Sequence, residues 1–488
     1  MSNVILVYPH TGLDLQGVSV WMPLSLLQVA STLCGDYDVV IVDQRVDDDW
    51  RGTLQDLIIA DTLCVGISSM TGTQIRGGLA AARVVRENNP EVPIVWGGNH
   101  PTLVPRTTAQ HPLVDIVVMG EGEVTFRQLV ETLEKNNHWH GIPNICFETN
   151  GEIFSNGTGT DPKYFIDQTL VPPLPYHLVD VEQYVGGRLV FGKGVRSLPY
   201  MSSQGCPHPC TFCCQPVLSG RRWRKQPAEM VLERTMRLKE EYNLDAIEFH
   251  DEEFFVDRRR GALIAEMIAG DYQWYVQTRM DDLLALDLDA LERGGLRVVQ
   301  PGLETGSARI LEMIQKGETI EQFRLANSKL ASTSIRCTYN FMMGYPTETE
   351  RDLEDTVDFA LELIEANPNA SVAGFYVYVP YPGSELFAQA VKDGFVPPDT
   401  LVGWSAFHRQ HLNTPWVDGR TETVEMLMYS SKFIDSRRFR YAFKDNLWMT
   451  GAANLMEIMY RRRWRQHSFR KTPEIYALSW LARRQFSW

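Results

Sequence analysis

The sequence predicts an α/β protein: an N-terminal doubly wound parallel sheet, a partial barrel of βα units, and a helical C-terminal region. Three observations carry this. Short apolar runs without polar alternation recur from VILVY (Val4 to Tyr8) to DIVVMG (from Asp115), separated by amphipathic segments such as QIRGGLAAARVVREN (Gln74 to Asn88). Such runs are strands buried on both faces, and the intervening helical patterns cover them. A second set of βα units follows a proline-rich passage, from LPYMSSQG to VAGFYVYVPYPGS. Beyond Asp399 the strand pattern stops and the chain turns helical, aromatic and basic.

A chain of 488 residues suffices for about three domains. We place them at 1–140, 191–398 and 399–488, with 141–190 as a connector that carries the Asn-Gly turns of ETNGEIFSNGTGT and the VPPLPYHL passage. Acidic residues outnumber basic ones, 61 to 47, for a net charge of -14, which argues against a nucleic-acid partner. No run reaches the ~18 apolar residues of a membrane span, and no leader pattern opens the chain, so the expected location is the cytoplasm. Eight cysteines are too few for a disulfide scaffold of this size. Cys34, Cys64, Cys146 and Cys337 sit singly among apolar neighbours and read as core residues.

In the N-terminal domain the strands β-run by β-run are VILVY, VVIVD, LCVGISS, PIVWGG and DIVVMG, the pattern of a flavodoxin-like sheet. Several end in glycine or small residues, as a ligand at the carboxyl edge would require. The first strand lacks a following GxGxxG, which disfavours a dinucleotide. A purely structural domain is the alternative.

The second domain delivers Cys206-Pro-His-Pro-Cys210-Thr-Phe-Cys213 just after its first strand. Three thiolates on one short loop can hold three corners of a cubane and leave the fourth iron open. An open iron can chelate the amino and carboxylate groups of an S-alkylated methionine and pass one electron to its sulfonium. Zinc is the competing reading, with Cys214 or His208 as fourth ligand, but structural zinc draws ligand pairs from separate loops and no second pair is present. His208, between two prolines, reads as exposed scaffold. In the βα units that follow, chemistry belongs at the carboxyl ends of the strands. Asp251, Glu252, Glu253, Arg279, Glu304 and Tyr381 all fall there.

The cysteine loop resembles the CxxxCxΦC signature of the radical S-adenosylmethionine (radical SAM) superfamily. HDEEFFVD, GLETGSARILEMIQKG, GYPTETERD and YPGSELF resemble other phrases of its core. WGGNHPTLVP and DIVVMGEGEVTF resemble the cobalamin (B12)-binding domain at the amino end of many such proteins, and the resemblance spans about residues 1–390. It implies a partial (β/α)6 barrel and three cofactors: a 4Fe–4S cluster on Cys206, Cys210 and Cys213, S-adenosylmethionine, and cobalamin. Phe212 would face the adenine; Asp251, Glu252 or Glu253 would meet the methionine amine; Arg279 would pair with the carboxylate or serve as a helix cap or structural salt bridge; Glu304 would contact the same cofactor. Ser68, Ser69, Thr71, Gly97, Gly98, His100, Gly120, Glu121 and Gly122 would embrace the corrin and its tail.

Relatives that ligate cobalt from the protein use a DxHxxG loop, where this chain has Tyr8 for Asp and Leu13 for Gly. His10 is the nearest candidate, without the carboxylate that normally orients such an imidazole, and a base-off cofactor without a histidine ligand is the preferred expectation. The resemblance implies a methyltransferase that passes a methyl group through methylcobalamin to a carbon radical, or else an oxidative cyclase like that of bacteriochlorophyll synthesis. A sensor without turnover is a third class. A flavodoxin- or ferredoxin-type protein would supply electrons, and the substrate is a small molecule, for which the aromatic tail hints at a large apolar body.

Two local expectations complete the reading. Thr347 to Glu350 has the spacing of a capping box before a long helix. The basic tail Phe439 to Lys471 is either a helical cap over the barrel or a surface for a membrane.

Overall fold

The computed structural model describes residues 3–12, 14, 20–186, 190–407, 414–435, 437, 447–477 and 480. Strands β1 (Asn3–Tyr8), β2 (Asp38–Asp43), β3 (Thr62–Ser68), β4 (Ile94–Gly97) and β5 (Ile116–Val118) pair in parallel in the order 2-1-3-4-5. Val4 to Val7 are at most 2% exposed, as a strand covered on both faces demands. Each such aliphatic side chain contributes about 1.5–3 kcal/mol on burial. Helices Leu24–Ser31 and Gly122–Glu134 cover one face through Leu26, Ala30, Phe126 and Leu129. Helices Trp50–Leu57 and Thr73–Asn88 cover the other through Leu54, Ile75 and Ala82. This is the doubly wound sheet expected.

The first Asn-Gly turn of the connector, Asn150-Gly151, joins β6 (Ile145–Thr149) to β7 (Glu152–Ser155), and this antiparallel hairpin extends the first sheet beyond β5. Gly120 explains how the connector seats there. It has φ +77°, and a Cβ on it would meet the Gly159 carbonyl oxygen at 2.0 Å, so two glycines pack backbone to backbone.

The second sheet holds β8 (Ser197–Tyr200), β11 (Ala246–Phe249), β12 (Gln273–Thr278), β13 (Leu296–Glu304), β14 (Arg336–Met343) and β15 (Ala370–Val377), all parallel in that order, with β8 and β15 at its two edges. It is a six-stranded partial barrel. Between β8 and β11 a two-residue ladder pairs β9 (Ser203–Gln204) with β10 (Arg224–Lys225). Along β14, Cys337, Tyr339, Phe341 and Met343 are buried against the outer helices, while Arg336, Thr338, Asn340 and Met342 alternate to the half-exposed inner face.

The helix after β14 spans Glu350–Ala366, and its capping box lies two residues later than the sequence reading placed it. Thr349, not Thr347, is the N-cap: its hydroxyl accepts from Asp352 N, and the Asp352 carboxylate accepts from Thr349 N at 2.9 Å. Thr347 has φ +64°, outside the extended region that an N-cap adopts. Asp352 also accepts from Ser307 Oγ at 2.6 Å and pairs with Arg309. These bonds favour the carboxylate, holding its pKa well below the usual aspartate value despite burial. The folded state therefore binds fewer protons here than the unfolded chain does, so this contribution is complete above about pH 3.9 and lost as the pH falls through the lower folded value. Acid unfolding followed by far-UV circular dichroism should begin at higher pH for Thr349→Val than for wild type.

The region after β15 divides. Trp404 and Phe407 pack into the core beneath Thr73–Asn88, against the first domain. Trp416 Nε1 donates to Gly344 O at 2.7 Å and Arg420 to Glu348 O at 2.8 Å, closing the chain over the loop after β14. Helix Leu447–Arg465 buries Trp464, whose Nε1 donates to Ser430 Oγ at 2.9 Å and whose ring meets Phe375 edge-on. Three of its arginines have partners: Arg461 with Ile434 O, Arg463 with Ser468 O and Arg465 with Glu365. These residues pack the helix against β15 and helix Glu350–Ala366. Phe439 to Asn446 of the predicted tail lie outside the described residues, as does Leu13. No helix among the described residues is long and apolar enough to cross a membrane.

Candidate active site

The cysteine loop leaves the β9–β10 ladder through Gly205, whose φ is +85° and whose missing Cβ would lie 2.0 Å from Arg222 O. Cys206, Cys210 and Cys213 follow, all half-buried. Cys213 N donates to Cys210 O at 3.1 Å, a turn that keeps the last two thiols on one loop. Thr211 anchors the middle: its N–H donates to Ile314 O at 3.0 Å and its carbonyl accepts from Leu386 N at 2.9 Å. Burial pushes the Cys206 thiol up to about 11 and raises Cys210 and Cys213, so metal loading must displace protons.

Three soft sulfur donors on one loop suit an iron–sulfur cluster. Among the described residues no three His, Cys, Asp or Glu side chains close on a single ion, as zinc would ask. Cys214 and His208 are both half-buried, so the histidine is less exposed than scaffold alone would be. Phe212 packs edge-on against Tyr345 with centroids 6.3 Å apart.

The predicted carboxylates do stand at strand ends, but most are already committed. Asp251, fully buried after β11, accepts from Ser202 N, Ser202 Oγ and Ser203 Oγ at 2.5–2.7 Å. It shapes the turn that launches the cysteine loop. Glu252 spans both ends of that loop, accepting from Gly205 N at 3.1 Å and Gln215 Nε2 at 3.0 Å. Glu253 caps the turn at Phe254–Val256 and accepts from Thr278 Oγ1 at 3.1 Å.

Arg279 and Glu304 belong to a buried ion network that the sequence reading missed. Lys316 Nζ lies 3.3 Å from Glu304 and 3.8 Å from Glu318; Arg279 lies 3.6 Å from Glu318 and 3.0 Å from Asp281, and donates to Lys316 O. Of the roles offered for Arg279, the salt bridge is present here, and Arg279 is also the N-cap residue of helix Met280–Ala285, without a side-chain cap bond. The network lies under the same segment that anchors Thr211. Tyr381 is 39% exposed, beyond β15 at the same carboxyl edge.

At the carboxyl edge of the first sheet is a cavity of about 230 Å³. Its walls are mostly apolar, including Leu6, Leu26, Val95, Val118 and Phe126, and Ser68, Gly97, Gly98, Gly120, Glu121 and Gly122 line it as expected. Gly97 is the opening: a Cβ there would meet nothing closer than Val118 O at 3.8 Å. Gly98 serves the chain itself, since its Cβ would lie 2.9 Å from Ser69 O. A slot with aliphatic walls and a glycine rim fits a flat aromatic base with a polar tail. Met201 and Gln204, just before Cys206, close the cavity from the barrel side. The two sites therefore share a wall.

Glu121 clasps this junction, pairing with Arg224 of β10, which also donates to Ile166 O at 3.1 Å. Glu121→Gln should loosen it, read as faster amide exchange at residues 164–168 and 224–225 with exchange in β1 unchanged.

Ser69, Thr71 and His100 do not line the cavity. Thr71 Oγ1 bonds His100 Nδ1 at 2.9 Å, and the buried imidazole packs against Trp404, its pKa lowered to about 3 by burial. His10 also stands outside the lining. The expected lack of an orienting carboxylate is corrected: Asp14 lies 3.7 Å from His10 Nδ1, brought there by a loop in which Thr11 and Gly12 N–H groups bond Asp14. Gln28, Asn99 and Glu123 line the cavity and were missed. Asn99 and Glu123 sit inside quoted phrases, whereas Gln28 lies in a segment for which the sequence offers no motif.

Comparison with known proteins matches this order. The family model "Radical SAM superfamily" covers residues 200–360 and "B12 binding domain" covers 15–130. An uncharacterized methyltransferase of Pyrococcus horikoshii is 30% identical over 81% of this chain and 84% of its own. The anaerobic magnesium-protoporphyrin IX monomethyl ester cyclase of Rubrivivax gelatinosus is 26% identical over 79% of this chain and 70% of its own. Among solved structures, the radical S-adenosylmethionine methyltransferase TsrM from Kitasatospora setae, with cobalamin and a 4Fe–4S cluster bound, shares the fold at a TM-score of 0.66 and 18% identity, covering 81% of this chain and 79% of its own. With both domains matched in the order the geometry gives them, the chain belongs to the cobalamin-dependent radical SAM methyltransferase family, whose cofactors are a 4Fe–4S cluster, S-adenosylmethionine and cobalamin.

Proposed function

We propose that the protein transfers a methyl group from S-adenosylmethionine to an unactivated carbon of a small molecule. The observation that carries this is the shared wall: Met201 and Gln204 close the first-sheet cavity and lead directly into the cysteine loop. When bound, the cluster supplies an electron for cleavage of S-adenosylmethionine, and cobalamin carries the methyl group. What the chain contributes is proximity, worth several kcal/mol when reacting groups are held at contact distance.

In this reading Cys206, Cys210 and Cys213 hold the cluster and Phe212 flanks S-adenosylmethionine. Asp251, Glu252, Glu253, Arg279 and Glu304 position the loops around it, since each of these side chains already bonds another part of the chain. Ser68, Gly97, Gly98, Asn99, Gly120, Glu121 and Gly122 face the cobalamin. A flavodoxin- or ferredoxin-type protein delivers the electron. The inner face of the barrel supports a substrate with hydrogen-bonding groups: Tyr275 donates to Gln300 at 2.9 Å, and Gln300 to Asn340 at 3.1 Å, across β12, β13 and β14.

The cyclase relative gives the second reading, with the same cofactors and no methyl transfer. Incubation of reduced, cofactor-loaded protein with methyl-labelled S-adenosylmethionine and candidate substrates separates them. Label in the product is the expected result. 5′-Deoxyadenosine together with an oxidised, unlabelled product would contradict methyl transfer and support cyclisation.

A further inference from the structure

The cysteine loop borders two spaces. Met201 and Gln204, which lead into it, close the cavity of the first sheet, whereas Pro207 and His208 within it line a separate surface hollow of about 550 Å³. Arg258 and Arg259, at the start of helix Arg258–Ile268, line the same hollow. A second basic segment, Arg221 to Lys225, reaches the loop from its other end. Arg221 Nε donates to Pro207 O at 3.4 Å, and Lys225 pairs with Asp257 beside Arg258. Arg221, Arg222, Lys225, Arg258 and Arg259 are all exposed. The acids at this surface are already paired: Asp257 with Lys225, Asp281 with Arg279 at 3.0 Å and Asp282 with Arg258 at 2.6 Å. Among the described residues Arg221, Arg222 and Arg259 have no ion-pair partner, so their positive charges stand uncompensated around Pro207 and His208.

The chain as a whole carries a net charge of -14 and repels an acidic protein. A local basic surface reverses that field at one place and sets the orientation of approach. We propose that the surface formed by Arg221, Arg222, Arg258 and Arg259 docks an acidic one-electron donor protein against the outer side of the cysteine loop. This rests on the reading that Cys206, Cys210 and Cys213 hold a cluster that such a protein reduces. For a flavin donor the step moves one electron: the hydroquinone becomes the semiquinone and the cluster is reduced by one electron. Electron transfer falls steeply with distance, and His208 stands two residues from both Cys206 and Cys210. A partner seated in the hollow therefore touches the loop that carries the thiolates, while the Gln204 side stays free for the cofactor cavity.

The test compares two reductants on the full-length, cluster-loaded protein without oxygen, with bleaching of the cluster absorbance as the readout. One is an acidic flavodoxin in its hydroquinone form; the other is photoreduced 5-deazariboflavin, small and uncharged. With flavodoxin, the wild-type second-order rate constant should fall about tenfold or more as ionic strength rises from about 0.01 to 0.5 M. The double variant Arg222→Glu, Arg259→Glu should lose about tenfold or more at low salt and converge with wild type at high salt. Arg222→Gln with Arg259→Gln should lie between them. Deazariboflavin should reduce all three proteins alike, and calorimetric affinities for flavodoxin should follow the order of the rates. A wild-type rate indifferent to salt overturns the proposal, as does a charge-reversed protein that flavodoxin reduces at the wild-type rate. Equal slowing with both reductants also overturns it, since that marks damage to the loop and not to docking. If deazariboflavin leaves the wild-type absorbance unbleached, the cluster reading itself fails.

Discussion

Cys213→Ala should abolish 5′-deoxyadenosine formation, with a fall of well over about 100-fold, since even outer partners of metal sites cost 10–100-fold. Cys213 closes the loop that begins at Cys206, and its N–H bonds back to Cys210 O. The loop is fixed from outside by Thr211 on Ile314 and Leu386, and by Glu252 across Gly205 and Gln215. None of these bonds requires the Cys213 thiol, so the variant should keep its fold while losing its iron. Iron and sulfide content after anaerobic reconstitution, with circular dichroism as the control, checks both halves. A Cys214→Ala protein should reconstitute as wild type does, because its neighbour supplies the third thiolate. Full iron loading and activity in Cys213→Ala would remove the cluster assignment.

The second large effect is expected at Lys316. Its ammonium group is buried between Glu304 and Glu318, and the side chain of Glu318 is fully buried with Oε2 lacking any hydrogen bond. Replacing Lys316 by Met leaves those carboxylates facing each other with Arg279 as the remaining cation. Loss of one partner from a buried ion network costs about 3–5 kcal/mol. The loss should appear as a lower urea midpoint with unchanged slope. It should also reach the cysteine loop, because Lys316 lies two residues beyond the carbonyl that holds Thr211. Adding Glu318→Gln should recover part of the stability by removing one stranded charge. A midpoint within error of wild type would show that the network carries no net stability.

The sequence reveals most where a motif is local. The cysteine spacing, the buried strands and the Asn-Gly hairpin are set by neighbouring residues, and the structure places each where its pattern implies. The roles of the strand-end carboxylates were not legible in the same way. Asp251 meets Ser202 and Ser203, 49 and 48 residues earlier, and Glu252 meets Gly205 and Gln215, so their hydrogen bonds are spent by tertiary contacts. Glycines show the same limit. Gly97, Gly98 and Gly120 read alike in sequence, yet Gly97 borders open space, Gly98 crowds Ser69 and Gly120 crowds Gly159. The capping box shifted for a reason outside the local sequence: Thr347 takes φ +64°, whereas Asp352, the N3 partner of Thr349, also reaches Ser307 and Arg309.

The central claim is that radical generation and methyl carriage occur at adjoining sites of one chain. It is tested most directly by giving the reduced, cofactor-loaded protein methyl-labelled S-adenosylmethionine and following 5′-deoxyadenosine and corrinoid-bound label in the same sample. The account predicts both, with Cys213→Ala losing the deoxyadenosine alone. Label that never reaches the corrinoid, while deoxyadenosine accumulates, would contradict it.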